Sequence, residues 1–166
     1  VGITVTDDQS PLAARLLARA RARGAKIVTA ESCTGGLVAA ALTDIAGSSD
    51  VFERGFVTYS NEAKQELLGV SEATLTAHGA VSLETAQAMA RGALARSRAD
   101  MAVAITGVAG PGGGTADKPV GLVHFAAAAR DGRVLHRERR FGDIGRAEVR
   151  QRSVAEALTL LEEMLG

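Results

Sequence analysis

This sequence has one cysteine, no tryptophan, three prolines and an aromatic share of 3%, and each scarcity excludes something. One cysteine cannot close an intramolecular disulfide, and with three scattered histidines it makes a poor structural zinc site. No stretch approaches the ~20 uninterrupted apolar residues of a membrane-spanning helix, and the opening VGITVTDDQS lacks the charged start and apolar run of a leader peptide. Charge of one sign is missing too. Nineteen Lys and Arg balance nineteen Asp and Glu, so no basic field invites nucleic acid. The expectation is a soluble protein of a reducing cytoplasm, with no metal and neither membrane nor nucleic acid as partner. A start at Val1 rather than Met is expected of a processed or excised piece.

What is present is small and apolar. Hydrophobic residues, many of them alanine, make up 46% of the 166 residues, which points to close helix-sheet contact rather than to a core of rings. The length suits a single domain over residues 1–166 with enough chain for a real core.

Ser10-Pro11 opens a helix that Gly24 stops. A strand over Ala25–Ala30 follows, then a turn and a helix over Thr34–Thr43. A second strand lies within Phe52–Ser60. Asn61–Leu68 reads as a helix capped by Ser60 or Asn61, Ser71–His78 as another, and Ser82 as the cap of a long helix with Met89 on its core face. Met101–Thr106 is a continuous apolar run, as for a strand covered on both faces. Asp131-Gly132 joins Gly121–Arg130 to Val134–Arg140 as a hairpin, and a last helix spans Arg146–Leu165. This alternation predicts an α/β fold, a three-layer α/β/α domain with a mixed sheet of about five strands.

The stretch Thr29-Ala30-Glu31-Ser32-Cys33-Thr34-Gly35-Gly36 places Ser32 where a strand hands over to a helix. Helix-start amides without intrahelical partners would lie beside it, ready for a developing oxyanion. The plainer reading is that Ser32 or Thr34 caps the helix while Gly35 and Gly36 allow close packing. A serine nucleophile also needs a base. His78, His124 and His136 are poorly placed for that, each reading as structural or exposed.

Lys64 is the better candidate, since the first turn of a capped helix disfavours an ammonium and burial would do so further. Tyr59, the one tyrosine, ends the preceding strand and can face the same sheet edge. Each could instead be ordinary, Lys64 a solvated lysine and Tyr59 a packing residue. The glycine-rich run from Gly107 to Gly114 could cradle an anion, but it lacks the Gly-Lys-Ser/Thr ending of a phosphate loop and the spacing of a dinucleotide fingerprint. Thr106 could meet a ligand or satisfy backbone. Arg146 and Arg150 begin a helix where cations are not favoured, so one is a candidate partner for an anion. Cys33 offers a competing nucleophile if the helix start makes its thiol acidic.

Taken together these pieces resemble the CinA C-terminal domain family, which includes stand-alone nicotinamide mononucleotide deamidases. The resemblance runs through Thr29–Gly36, Gly55–Lys64, His78–Ser82, Thr106–Pro111 and Lys118–Gly121, in family order. It implies an amidohydrolase without metal or cofactor that converts nicotinamide mononucleotide and water to nicotinate mononucleotide and ammonia. By the same resemblance Ser32 is the nucleophile, Lys64 its base and Tyr59 a supporting hydrogen-bonding group. Thr34, Gly35, Gly36, Thr106, Gly107 and Arg146 then form the substrate site, although Phe141-Gly142-Asp143-Ile144-Gly145 is spaced differently from the family's Gly-Asp-Arg pattern. Alanine-rich helix faces and the family imply a homo-oligomer. The alternative is a non-catalytic pyridine-nucleotide-binding or assembly domain of a longer protein.

Overall fold

Successive residues of the central strands point into two different cores, and this period of two explains the alanine content. On one face Val28, Ala30, Ala102, Ala104, Ala126 and Ala128 pack against Leu68, Met89, Ala90 and Ala93. On the other, the larger Ile27, Val103, Ile105 and Phe125 meet Leu16, Leu42, Leu158 and Leu161. The small face lets helices approach closely. The computed structural model describes residues 8–166.

The sheet is mixed, with the order β2-β1-β3-β4-β5. Its strands are β1 (Ile27–Glu31), β2 (Phe52–Val57), β3 (Met101–Gly107), β4 (Leu122–Ala129) and β5 (Val134–Arg140). β1 runs parallel to both β2 and β3, whereas β4 runs antiparallel to its neighbours β3 and β5. The apolar runs of β1 and β4 are buried throughout and lie inside the sheet, while the half-polar β2 and β5 form its edges.

Among the described residues six α-helices cover the two faces: α1 (Ser10–Ala22), α2 (Leu37–Thr43), α3 (Asn61–Leu68), α4 (Glu72–His78), α5 (Leu83–Ala95) and α6 (Arg146–Leu165). α1, α2 and α6 pack together on one face, and α3 and α4 pack on α5 on the other. The three-layer α/β/α architecture is the one expected. β1 is followed by β2 on one side and flanked by β3 on the other, so a crevice opens at the carboxyl ends of β1 and β3.

Two boundaries differ from expectation near that crevice. α2 begins at Leu37 rather than Thr34, because Gly35 and Gly36 take φ of 57° and 106° and insert a turn before the helix. β2 ends at Val57 instead of running toward Ser60. Thr58 still donates its N–H to Glu31 O, but the chain then turns out to let Ser60 Oγ cap α3 through Ala63 N–H, at 3.0 Å. Ser10 is the first residue of α1 and makes no side-chain cap bond.

Candidate active site

Ser32 follows the last residue of β1, and its N–H is tied to Ile105 O of β3 at 2.9 Å. Lys64 reaches it from α3, in the opposite layer to the helix that follows Ser32. The ammonium nitrogen Nζ donates to Ser32 Oγ at 2.9 Å, to Thr58 O at 2.9 Å and to Tyr59 O at 3.1 Å. Lys64 is only 1% exposed, and no carboxylate pairs with it among the described residues. Burial accordingly pulls its pKa from the usual lysine value down to about 8.

The geometry serves both protonation states. An ammonium has three hydrogens for three acceptors. The neutral amine keeps two hydrogens on the Thr58 and Tyr59 carbonyls, which leaves its lone pair toward the Ser32 hydroxyl.

The turn after Ser32 is pinned at several points. Glu31, fully buried at the end of β1, accepts Val38 N–H and Ala39 N–H through its two carboxylate oxygens at 2.9 and 3.0 Å. Leu37 N–H goes to Thr34 O. The helix-start amides expected to face an oxyanion are therefore already occupied. The amides that remain beside Ser32 are those of Cys33 and Thr34, which donate to no acceptor among the described residues.

Ser32 and Lys64 open onto a cleft of ≈ 300 Å³. Thr106, Gly107 and the loop from Val108 to Gly113 form one wall, Ala80 and Val81 another, and Tyr59 and Arg146 contribute to the lining. Among the described residues no carboxylate or imidazole lines it. The amides of Ala109, Gly110, Gly112 and Gly113 donate to no protein acceptor among the described residues, so the loop is a ready anion cradle. Arg146 donates to Gly110 O and to Tyr59 Oη, both at 2.8 Å, and has no carboxylate partner among the described residues.

Residues 9–165 match the CinA C-terminal domain family. The chain belongs to that family. It is 57% identical over 147 residues to the nicotinamide-nucleotide amidohydrolase PncC of Escherichia coli K12, covering 87% of this chain and 88% of that protein. The protein of the same name from Enterobacter agglomerans is 51% identical over 154 residues, covering 93% and 94%. The solved structure of the competence/damage inducible protein CihA from Agrobacterium tumefaciens superposes with a TM-score of 0.95 at 58% identity, covering 97% of this chain and 98% of that one.

Within this CinA-type domain the residues expected at the site divide into two groups. Ser32, Lys64, Thr106, Gly107 and Arg146 share the cleft, as does Tyr59. Among the described residues Tyr59 makes no hydrogen bond to Ser32 or Lys64 with its hydroxyl. Its side chain is 59% exposed and meets Arg146, while only its backbone carbonyl touches Lys64. Thr34, Gly35 and Gly36 are absent from the cleft wall and instead shape the turn: Gly35 N–H closes on Ser32 O at 3.0 Å. Thr106 Oγ1 donates to Ala80 O at 2.8 Å, holding that wall in place.

Cys33 lies on the wall with its thiol pushed up to about 12, chiefly by burial, so it is not the acidic thiol that a helix start would make. Sequence reasoning missed Ala80 and Val81, small apolar residues with no chemical signature. It also missed Glu31 as a cap, because a carboxylate seven and eight residues ahead of its donors matches no capping spacing.

Proposed function

We propose that this chain is a nicotinamide-nucleotide amidase, converting nicotinamide mononucleotide and water to nicotinate mononucleotide and ammonia through a Ser32–Lys64 pair. The observation that carries this reading is the contact of 2.9 Å between Lys64 Nζ and Ser32 Oγ, buried at the floor of a cleft without carboxylates. The relatives named for that activity supply the substrate.

In the first half-reaction neutral Lys64 takes the proton of Ser32 Oγ as the oxygen attacks the carboxamide carbon. The oxyanion sits against the Cys33 amide, on the cleft wall. Lys64 returns the proton to the amide nitrogen, the C–N bond breaks, and ammonia leaves an acyl-serine. Water then gives its proton to Lys64 and attacks the ester, and the proton goes back to Ser32 as the acid departs. The cationic pyridinium withdraws electrons from the carboxamide and makes its carbon a better electrophile. Arg146 and the free amides of the Val108–Gly113 loop receive the ribose phosphate. Among the described residues the wall has one thiol and no carboxylate or imidazole, a poor donor set for a cation. We take the reaction to need no metal, which chelation with EDTA tests.

The direct experiment is ammonia release from the mononucleotide by wild type, Ser32→Ala and Lys64→Ala. Each variant is expected to lose at least about a thousandfold in kcat, and unchanged turnover in Ser32→Ala would remove the serine mechanism. A melting shift with the mononucleotide in wild type, but no ammonia, would instead mark a binding domain.

A further inference from the structure

α6 supplies a second arginine, one turn beyond Arg146, that does not line the cleft. Arg150 Nε donates to Cys33 O at 3.1 Å and its Nη2 to Thr34 O at 3.2 Å, the two carbonyls that follow the serine. The contact crosses 117 and 116 residues of sequence. Gly35 leaves room for it, since a Cβ there would stand 3.2 Å from Arg150 Nη2.

The two peptide units after Ser32 can each be followed atom by atom. In the first, Ser32 O accepts Gly35 N–H and the free end is Cys33 N–H. In the second, Cys33 O accepts Arg150 and the free end is Thr34 N–H. That peptide is trans, so its N–H points away from its carbonyl. Arg150 approaches from the α1, α2 and α6 layer, whereas Lys64 meets Ser32 Oγ from the layer of α3, α4 and α5. Of the two free amides, that of Thr34 belongs to a residue wholly buried and off the cleft wall, whereas that of Cys33 belongs to a residue on the wall. Arg150 thus grips both carbonyls of the turn that presents Cys33 N–H beside Ser32, and these charge-assisted hydrogen bonds hold it from behind.

We propose that Arg150 is a positioning residue for the reaction, clamping the Cys33 and Thr34 carbonyls so that Cys33 N–H, on the cleft wall, serves the oxyanion. This rests on the serine acyl-transfer reading above. It assigns Arg150 to the transition state and not to substrate phosphate, so its loss lowers kcat and leaves KM in place.

The test compares Arg150→Ala, Arg150→Gln, Arg150→Lys and Ser32→Ala, each with its melting temperature, using nicotinamide mononucleotide as substrate. Arg150→Ala is expected to lose about tenfold to a hundredfold in kcat with KM within about twofold. Arg150→Lys, which keeps the charge but loses the fork, falls between it and wild type. Free guanidinium ion, at concentrations far below those that unfold the protein, restores part of the kcat of Arg150→Ala. If Arg150→Ala gives no cooperative melt, Arg150→Gln carries the measurement. A wild-type kcat in whichever variant folds, beside an inactive Ser32→Ala, overturns this inference alone. A rise in KM at constant kcat overturns it too, making Arg150 a substrate-binding group. Retained turnover in Ser32→Ala overturns both readings.

Discussion

Lys64 Nζ and Ser32 Oγ lie 2.9 Å apart at the meeting point of two layers, with 32 residues of sequence between them. The nitrogen's other two contacts are backbone carbonyls at 2.9 and 3.1 Å, neutral groups that accept hydrogen from either charge state. What tips the balance is burial, which leaves Lys64 1% exposed and disfavours its charged form.

Activity should follow the deprotonation of Lys64. With its pKa brought down to about 8, the neutral base is the minor form at neutral pH. kcat/KM is expected to rise about tenfold per pH unit below that value and to level off above it. A pH profile of ammonia release between pH 6 and 9.5 checks this, and a flat profile would mean that Lys64 is not the base.

The same shift makes a prediction about stability. The folded-state pKa lies below the ordinary lysine value of 10.5, so between about 8 and 10.5 the unfolded chain holds a proton that the folded protein does not. Stability from this group is therefore fully present above 10.5 and is lost as pH falls through 8. The size is about 3 kcal/mol. Chemical denaturation of wild type and Lys64→Met at pH 7 and pH 10 isolates it, because other titrations cancel in the difference. Wild type should gain most of that amount on Lys64→Met over the interval, and a constant difference would count against a buried, shifted lysine.

Arg146 and Tyr59 should separate in their effects. Arg146→Ala removes the one cationic side chain besides Lys64 that the described residues place on the wall and is expected to raise KM by about tenfold to a hundredfold, the worth of a charge-assisted hydrogen bond. Tyr59→Phe frees Arg146 of one neutral partner and leaves the Tyr59 carbonyl on Lys64. Its kcat should stay within about threefold of wild type, in keeping with loss of a single exposed hydrogen bond. A collapse of kcat in Tyr59→Phe would return the hydroxyl to the chemistry.

Sequence alone carried the layers well, since period-two strands and capped helices are local signals. Ser60, Ser71 and Ser82 each accept the N–H of the residue three on, the bond that a helix cap makes. The Ser32 turn was legible as a strand-to-helix corner, and the preceding cap was enough to single out Lys64. What did not show was the work of long-range contacts. Glu31 removes the α2 amides from the site, Arg150 reaches the turn from the far end of the chain, and the Tyr59 hydroxyl is drawn to Arg146. None of these pairings has a spacing that a helix or strand repeats, so only the fold could reveal them.

Gly92 tests whether the seat of Lys64 depends on how closely α3 meets α5. A glycine inside a helix ordinarily gains about 1 kcal/mol when replaced by alanine, and Gly92 sits within α5. A Cβ there would stand 1.9 Å from Leu68 O and 2.8 Å from Leu68 C, atoms of the last residue of α3. Backbone cannot swing aside as a flexible side chain can, so α3 must back away, and the helix carries Lys64 with it. Gly92→Ala is therefore expected to lose about 2 kcal/mol net, lowering the melting temperature by roughly 4–8 °C. It should also reduce kcat, although residue 92 is not on the cleft wall. Thermal melts and ammonia release on one preparation decide it: a stabilised Gly92→Ala with full activity would show that the two helices have slack between them.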